Sequence, residues 1–255
     1  MENSELILSI DVGTQSIRAV IIDLQGNILD LFKTEIEAYY SDHPGWAEQD
    51  PNHFWDKLCE TTKKLFHSTE VSKDRIKAVS LTTQRGTLVN TDKEGNPVRP
   101  AMVWLDQRRA ELDNYPRGWD KFKFGLVNMN EAIIHAIKNA ECNWIMQNQP
   151  EIWEKTEKFV YLSAWLIFKL TGQFADSIGN MVGYLPFDYK KQEWAKANHR
   201  NAKMFPVEPE KLAKLYKPSE IIGEIPDYVS KQTGIPAGLP LVAAASDKAS
   251  EVLGS

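Results

Sequence analysis

The sequence predicts an α/β fold whose sheet opens as an antiparallel meander. Three observations carry this reading. Short β-branched runs stand close together at the start, the middle holds long stretches with apolar residues at helical spacing, and a strand-to-helix corner closes the chain. The 255 residues are 42% hydrophobic, enough for one large domain or two small ones.

Leu6 to Ile10 is a short apolar run ending in Asp11, and Ile17 to Leu24 reads as a strand buried on both faces. Gln25-Gly26-Asn27 signals a turn into a third run, Ile28 to Glu35. Asp50 as N-cap and Pro51 at the first helical position start a helix to Phe66, with Phe54, Leu58 and Leu65 on one face. A fourth strand spans Ile76 to Leu81, and Thr87 to Asp92 with Val98 to Trp104 flank a Lys-Glu-Gly-Asn hairpin turn. Helices are expected over Ala132 to Met146, over Ile152 to Leu170 with Gly172 as its stop, and over Asp227 to Thr233. Leu241 to Ala245 reads as a strand, and a helix follows Asp247. That corner predicts a natural protein that continues beyond Ser255.

Composition removes several classes of function. Thirty basic against 35 acidic residues give a net charge of −5 with no basic block, which speaks against nucleic acid as a partner. Cys59 and Cys142 belong to no C-x-x-C pair, so neither a disulfide framework nor a zinc site is expected, and a reducing compartment suits them. No apolar run approaches a membrane span and the first residues form no leader, so the expectation is a cytoplasmic protein without a membrane partner. The histidines show no metal-ligand spacing.

The turn Asp11-Val12-Gly13-Thr14-Gln15-Ser16 carries chemistry. A phosphate wants converging backbone N–H groups, hydroxyls and little bulk, and Gly13, Thr14, Gln15 and Ser16 can supply them. Asp11 at a strand end can hold Mg²⁺ through water, since that ion keeps most of its own waters. Arg18 can pair with a phosphate oxygen. The loop is no Walker A, because it lacks Gly-Lys-Ser/Thr and a strand follows it. The plain rival is an ordinary hairpin with Asp11 and Gly13 as turn formers.

At this point the chain resembles a known family. Ile10 to Asn27 (IDVGTQSIRAVIIDLQGN) is similar to the first phosphate motif of the FGGY carbohydrate kinases, within the actin-like ATPase superfamily. Pro44 to Trp55, Asp92 to Ala110, Lys169 to Asn180 and Gly234 to Gly254 follow in that family's order. The resemblance implies that residues 1–255 are the family's N-terminal domain, with the C-terminal adenosine-binding domain absent. The implied fold is ribonuclease-H-like: a mixed five-stranded sheet, helices on both faces, and an inserted sugar-facing subdomain.

The resemblance also implies ATP and Mg²⁺ as cofactors, and phosphotransfer to a hydroxyl of a sugar or polyol. It places the catalytic base at Asp247, whose residue-level rival is a helix N-cap. It places acceptor contacts at Gln84, Arg85, Trp104 and Asp106. Here the plain readings are a surface cation for Arg85, a core residue for Trp104, and an Asp106 that caps a helix over Gln107 to Asn114. Two departures bear on the acceptor. Gly86 stands where glycerol kinases place Glu after the Arg, and Ala136 stands where they use Tyr, so neither glycerol nor xylulose specificity carries over. The rival functions are an actin- or chaperone-like ATPase switch and a non-catalytic sugar-sensing module. A homo-oligomer is compatible with all of these.

Overall fold

In β1 (Leu6–Val12) the residues Leu6, Leu8, Ile10 and Val12 are fully buried, while Ile7, Ser9 and Asp11 between them are not. That period-2 alternation is what a strand with one covered face requires. The structure, a computed structural model, describes residues 4–112 and 130–245. β2 (Ser16–Asp23) runs antiparallel to β1, from Leu6 opposite Asp23 to Val12 opposite Ile17, and β3 (Ile28–Glu35) continues the meander at the outer edge. β2 corrects an expectation. In its apolar run Ile17, Ala19 and Ile21 are buried, while Arg18 between them is exposed and Val20 and Ile22 are half-buried. Its apolar run looked covered on both sides, yet the described helices cover one.

On the other side of β1 the strand Ile76–Thr83 lies parallel, then Pro240–Val242 parallel to that, and Ile221–Glu224 closes the edge antiparallel. The mixed sheet therefore has one strand beyond the five expected. Ile221-Ile222-Gly223-Glu224 is too short and too glycine-broken to announce itself as a strand. The helix Pro51–Ser68 forms as read: Asp50 accepts from the Asn52 amide, and Phe54, Leu58 and Leu65 are fully buried. It touches the helices Leu162–Thr171 and Asp227–Thr233, so these three share one face of the sheet. The helix expected after Asp247 lies outside the described residues.

A second layer carries its own core. The strand Leu88–Thr91 pairs with Lys158–Tyr161, and Ala101–Met102 and Glu48–Gln49 complete a four-stranded sheet. Leu88, Met102, Ile137, Ile145, Phe159 and Phe187 fill the cluster beneath it. The expected hairpin turn is present, with Asp92 and Asn96 bonded across it, and Gly95 is required there. A Cβ at residue 95 would come within 2.1 Å of the Phe168 ring.

Both long middle helices are broken. Ala132 to Met146 is two helices, Asn130–Asn139 and Glu141–Asn148, with Ala140 extended between them. The Asn143 side chain donates to Ile137 O and Met204 O, taking the carbonyl that a continuous helix would have used. Ile152 to Leu170 is a helix Pro150–Lys155, the strand Lys158–Tyr161 and a helix Leu162–Thr171. The run Phe159-Val160-Tyr161 has strand propensity and finds a partner in Leu88–Thr91, so tertiary pairing overrides the helical spacing. Residues 107–112 form no helix, and Asp113 and Asn114 lie outside the described residues. No described helix is long and apolar enough to cross a membrane.

Candidate active site

The parallel strands bring distant segments to one edge. Beyond β1 and Ile76–Thr83 the pairing continues, with the Gln84 amide donating to Val12 O at 2.8 Å. Thr82 Oγ1 donates to Ala245 O at 2.9 Å, which holds the chain after Pro240–Val242 at the same edge. This is where ligands of open α/β sheets bind, outside the carboxyl ends of parallel strands. Asp247 follows Ala245 by two positions and lies outside the described residues.

The turn between β1 and β2 is fixed by Gly13 N–H donating to Ser16 O at 3.0 Å. Gly13 therefore shapes the loop, and its own N–H is taken. Among the described residues the Thr14 and Gln15 amides donate to no backbone carbonyl, and these are the N–H groups left for an anion. A cavity of about 650 Å³ opens beside them, lined by Gly13 to Ser16, Arg18, Lys33, Tyr39 and Trp104. Arg18 lines it while pairing with Asp11, Nη1 to Oδ2 at 2.9 Å, so the loop carboxylate and its nearest cation form one unit.

A second cavity, about 560 Å³, lies on the other side of Thr14. Its wall includes Gln84, Arg85, Gly86, Trp104 and the loop Val182 to Tyr184. Thr14 Oγ1 donates to Gln84 Oε1 at 2.6 Å and accepts from Trp104 Nε1 at 3.1 Å. The buried Gln84 Nε2 has no hydrogen-bond partner among the described residues. Trp104 is 55% exposed, which removes the core reading and leaves its ring face open. Gly86 has φ +67°, and a Cβ there would sit 3.3 Å from Trp104 Cβ. Glycine is thus demanded by the backbone as well as by the room around the indole.

Asp106 lines a smaller cavity of about 260 Å³ together with Gly86 and Trp104, and its carboxylate is engaged by its own neighbours. Its Oδ2 accepts from Ala47 N and Arg108 Nη2, its Oδ1 from Arg108 N, and its side chain is 3% exposed. Those bonds engage both carboxylate oxygens and fix the side chain in the wall. The Arg108 guanidinium also reaches Glu48 at 2.8 Å and lies over the rings of Trp46 and Trp144. Burial works against its charge, but the bonds to Asp106 and Glu48 outweigh this and raise its pKa. Arg99 meets the same Glu48 oxygen at 2.5 Å; there burial prevails and its pKa falls. Glu48, Arg99 and Glu141 were not singled out in the sequence. Each reads as a surface charge until the strand Glu48–Gln49 and the break at Ala140 turn it inward.

With that geometry in place, comparison with known proteins is informative. Residues 6–254 match the model of the FGGY family of carbohydrate kinases, N-terminal domain, and the chain belongs to that family. It is 32% identical over 256 residues to a glycerol kinase of Thermococcus onnurineus, covering 97% of this chain and 49% of the relative. It is 27% identical over 251 residues to a xylulose kinase of Staphylococcus epidermidis, covering 98% and 49%. The chain thus spans about half the length of these relatives. Among solved structures, the ligand-bound xylulose kinase of Lactobacillus acidophilus matches with a TM-score of 0.78 at 19% identity over 98% of this chain and 50% of that one. The Plasmodium falciparum glycerol kinase with ADP matches with a TM-score of 0.74 at 23% identity, over 98% and 50%. Both likenesses show the fold, the actin-like ATPase fold of these sugar kinases.

Proposed function

We propose that this chain is the phosphate- and acceptor-binding half of an ATP-dependent kinase acting on a hydroxyl of a sugar or polyol. One observation carries the reading: the anion-facing loop cavity and the acceptor cavity meet at Thr14 and Trp104. A γ-phosphoryl held by the Thr14 and Gln15 amides would therefore stand beside a hydroxyl held by Gln84 and Arg85. Phosphoryl transfer is chiefly positioning plus charge stabilisation, so that adjacency supplies what the reaction needs. An ATPase switch would need no second cavity, which weighs against that rival.

Asp11, whose Oδ2 also takes the Arg18 guanidinium at 2.9 Å, would hold Mg²⁺ through water, since that ion keeps most of its own waters. Such an ion would neutralise charge on the transferring phosphoryl group. Asp247 is assigned as the base that accepts the hydroxyl proton, on the family motif alone. The adenosine would be held by a second domain, and closure of two domains would exclude water so that the acceptor attacks in its place. The relatives' names offer glycerol and xylulose, and the Arg85-Gly86 pair follows neither pattern. A panel of sugars and polyols assayed with Mg·ATP on the full-length protein tests the reading. Saturable transfer to at least one acceptor is expected. ATP hydrolysis that no acceptor stimulates would overturn it in favour of the switch.

A further inference from the structure

Lys169 to Asn180 is one of the stretches that resemble the family, and the proposed chemistry makes no use of it. It ends in a tight turn, Ile178–Asn180, after the short strand Ala175–Ser177. The buried Asp176 fixes that turn. Its Oδ2 accepts from Ser163 Oγ at 2.7 Å, and its Oδ1 accepts from the Ser177 amide at 2.8 Å and from Asn180 Nδ2 at 2.6 Å. The Gly179 amide donates to Ser177 Oγ at 3.1 Å. A buried network with its members bonded in this way makes the turn a rigid element.

The turn touches both parts of the proposed site. Val182, Gly183 and Tyr184 follow it and line the acceptor cavity, and Val182 O accepts from the Tyr161 hydroxyl at 2.6 Å. Gly179 itself lies against the chain just after the strand Pro240–Val242. A Cβ on residue 179 would stand 3.0 Å from Ala245 Cβ, 3.1 Å from Ala245 Cα and 3.3 Å from Ala244 O. Ala245 O also accepts from Thr82 Oγ1 at 2.9 Å, so moving Ala245 disturbs that bond as well.

The ordinary account of a glycine in a turn is a left-handed backbone, which other residues avoid. Gly179 is not among the glycines with positive φ. Its backbone would suit a side chain, and only the approach of Ala245 calls for glycine. We propose that Gly179 is a positioning residue for the base. Its bare Cα seats the turn on Ala245, so one rigid element sets both the acceptor wall and the point from which the chain runs to Asp247. A base and its hydroxyl must meet at about 2.6–3.2 Å. A misplacement of about 1 Å costs on the order of a hundred-fold in rate. The inference rests on Asp247 being the base and on the acceptor cavity assigned above.

The test uses the full-length protein with Mg·ATP and either glycerol or xylulose. Gly179→Ala forces its neighbour to give by a few tenths of an ångström. A fall in kcat of about ten-fold is expected, exceeding any rise in acceptor KM. Gly26→Ala is the control for stability alone, because its Cβ meets nothing within 4 Å; its kcat should stay within about twofold. Adding Ala245→Gly to Gly179→Ala removes the nearest contact and should recover at least about threefold of the rate. Thr82→Val releases Ala245 O without crowding the fold, and should lower kcat by about three- to ten-fold.

Hydrogen exchange without ligands reads the seat itself. The segment Leu241 to Ala245 should exchange faster in Gly179→Ala and as in wild type in Gly26→Ala. Unchanged exchange there, or a double variant no faster than Gly179→Ala, overturns the contact. Near-normal kcat in Gly179→Ala or in Thr82→Val, in a wild type that transfers phosphate, overturns the positioning role alone. Faster exchange in Gly179→Ala from a wild type that transfers to no acceptor would defeat the kinase reading, and the base with it, while the seat on Ala245 stands.

Discussion

The Trp104 indole N–H donates to Thr14 Oγ1 at 3.1 Å, and the same hydroxyl donates to Gln84 Oε1 at 2.6 Å. One threonine thus ties the phosphate-side loop to both sides of the acceptor cavity. Thr14→Val keeps the shape and removes the relay, leaving Gln84 Oε1 unpaired at a cost of about 1–3 kcal/mol. The expected outcome is a rise of about ten-fold in the KM for both ATP and acceptor. Trp104→Phe keeps an aromatic face and loses only the N–H, so the acceptor KM alone should rise, by about two- to ten-fold. Steady-state kinetics of both variants decide the point; an unaltered ATP KM in Thr14→Val would separate the loop from the cavity.

Gly86 gives a second test, set against Gly26. Both have positive φ, +67° and +85°, so alanine at either costs about 1–2 kcal/mol of backbone strain. Only at residue 86 does the new Cβ meet a neighbour, Trp104 Cβ at 3.3 Å, whereas nothing lies within 4 Å at residue 26. Comparable falls in melting temperature are expected, with the acceptor KM raised in Gly86→Ala and unchanged in Gly26→Ala. The same strain makes Gly86→Glu a poor way to install a glycerol-type carboxylate, because the backbone there does not suit a side chain. Equal KM values in the two alanine variants would remove Gly86 from the cavity's shaping.

Much of this was legible in the sequence because it is local. The meander announced itself through three short apolar runs and the Gly26 turn, the first helix through Asp50 and Pro51, and the loop between the first two strands through its short polar run. What escaped depends on partners far along the chain. Phe159-Val160-Tyr161 became a strand because Leu88–Thr91 needed a neighbour. Asp106 reads alike whatever its partners, and only the fold shows its bonds to Ala47 and Arg108. Glu141 turns inward because Asn143 breaks the helix before it, which no periodicity reveals.

Asp176 offers a pH test independent of activity. It is fully buried, and burial pushes its pKa up to about 6, although Asn180, Ser163 and the Ser177 amide all donate to it. Its unfolded value is about 3.9, so between the two values the folded protein holds a proton that the unfolded chain has lost. Stability attributable to this group is therefore full below about pH 4, falls as pH rises toward about 6, and levels off above, by an amount on the order of 2–3 kcal/mol. Asp176→Asn does not titrate and keeps an acceptor. The difference in denaturant midpoint between variant and wild type should move in favour of the variant across that window. A difference that stays constant with pH would mean that Asp176 is ionised in the fold.

The base assignment has the sharpest consequence. Asp247 has two readings from sequence, a helix N-cap and the group that accepts the acceptor's proton. Asp247→Asn serves the first as well as Asp does, so a cap role predicts a change in stability under about 1 kcal/mol and a near-normal rate. Asn cannot accept a proton at neutral pH, and a positioned base contributes about 10²–10⁴-fold, so the catalytic role predicts a fall of that size in kcat. Acceptor Kd should move little, since the amide oxygen can still take a hydroxyl hydrogen bond. Measured in the full-length protein, an unchanged melting temperature with kcat down at least about a hundred-fold supports the base. A rate within about threefold of wild type excludes it, because under 1 kcal/mol of barrier is far less than the proton transfer would need.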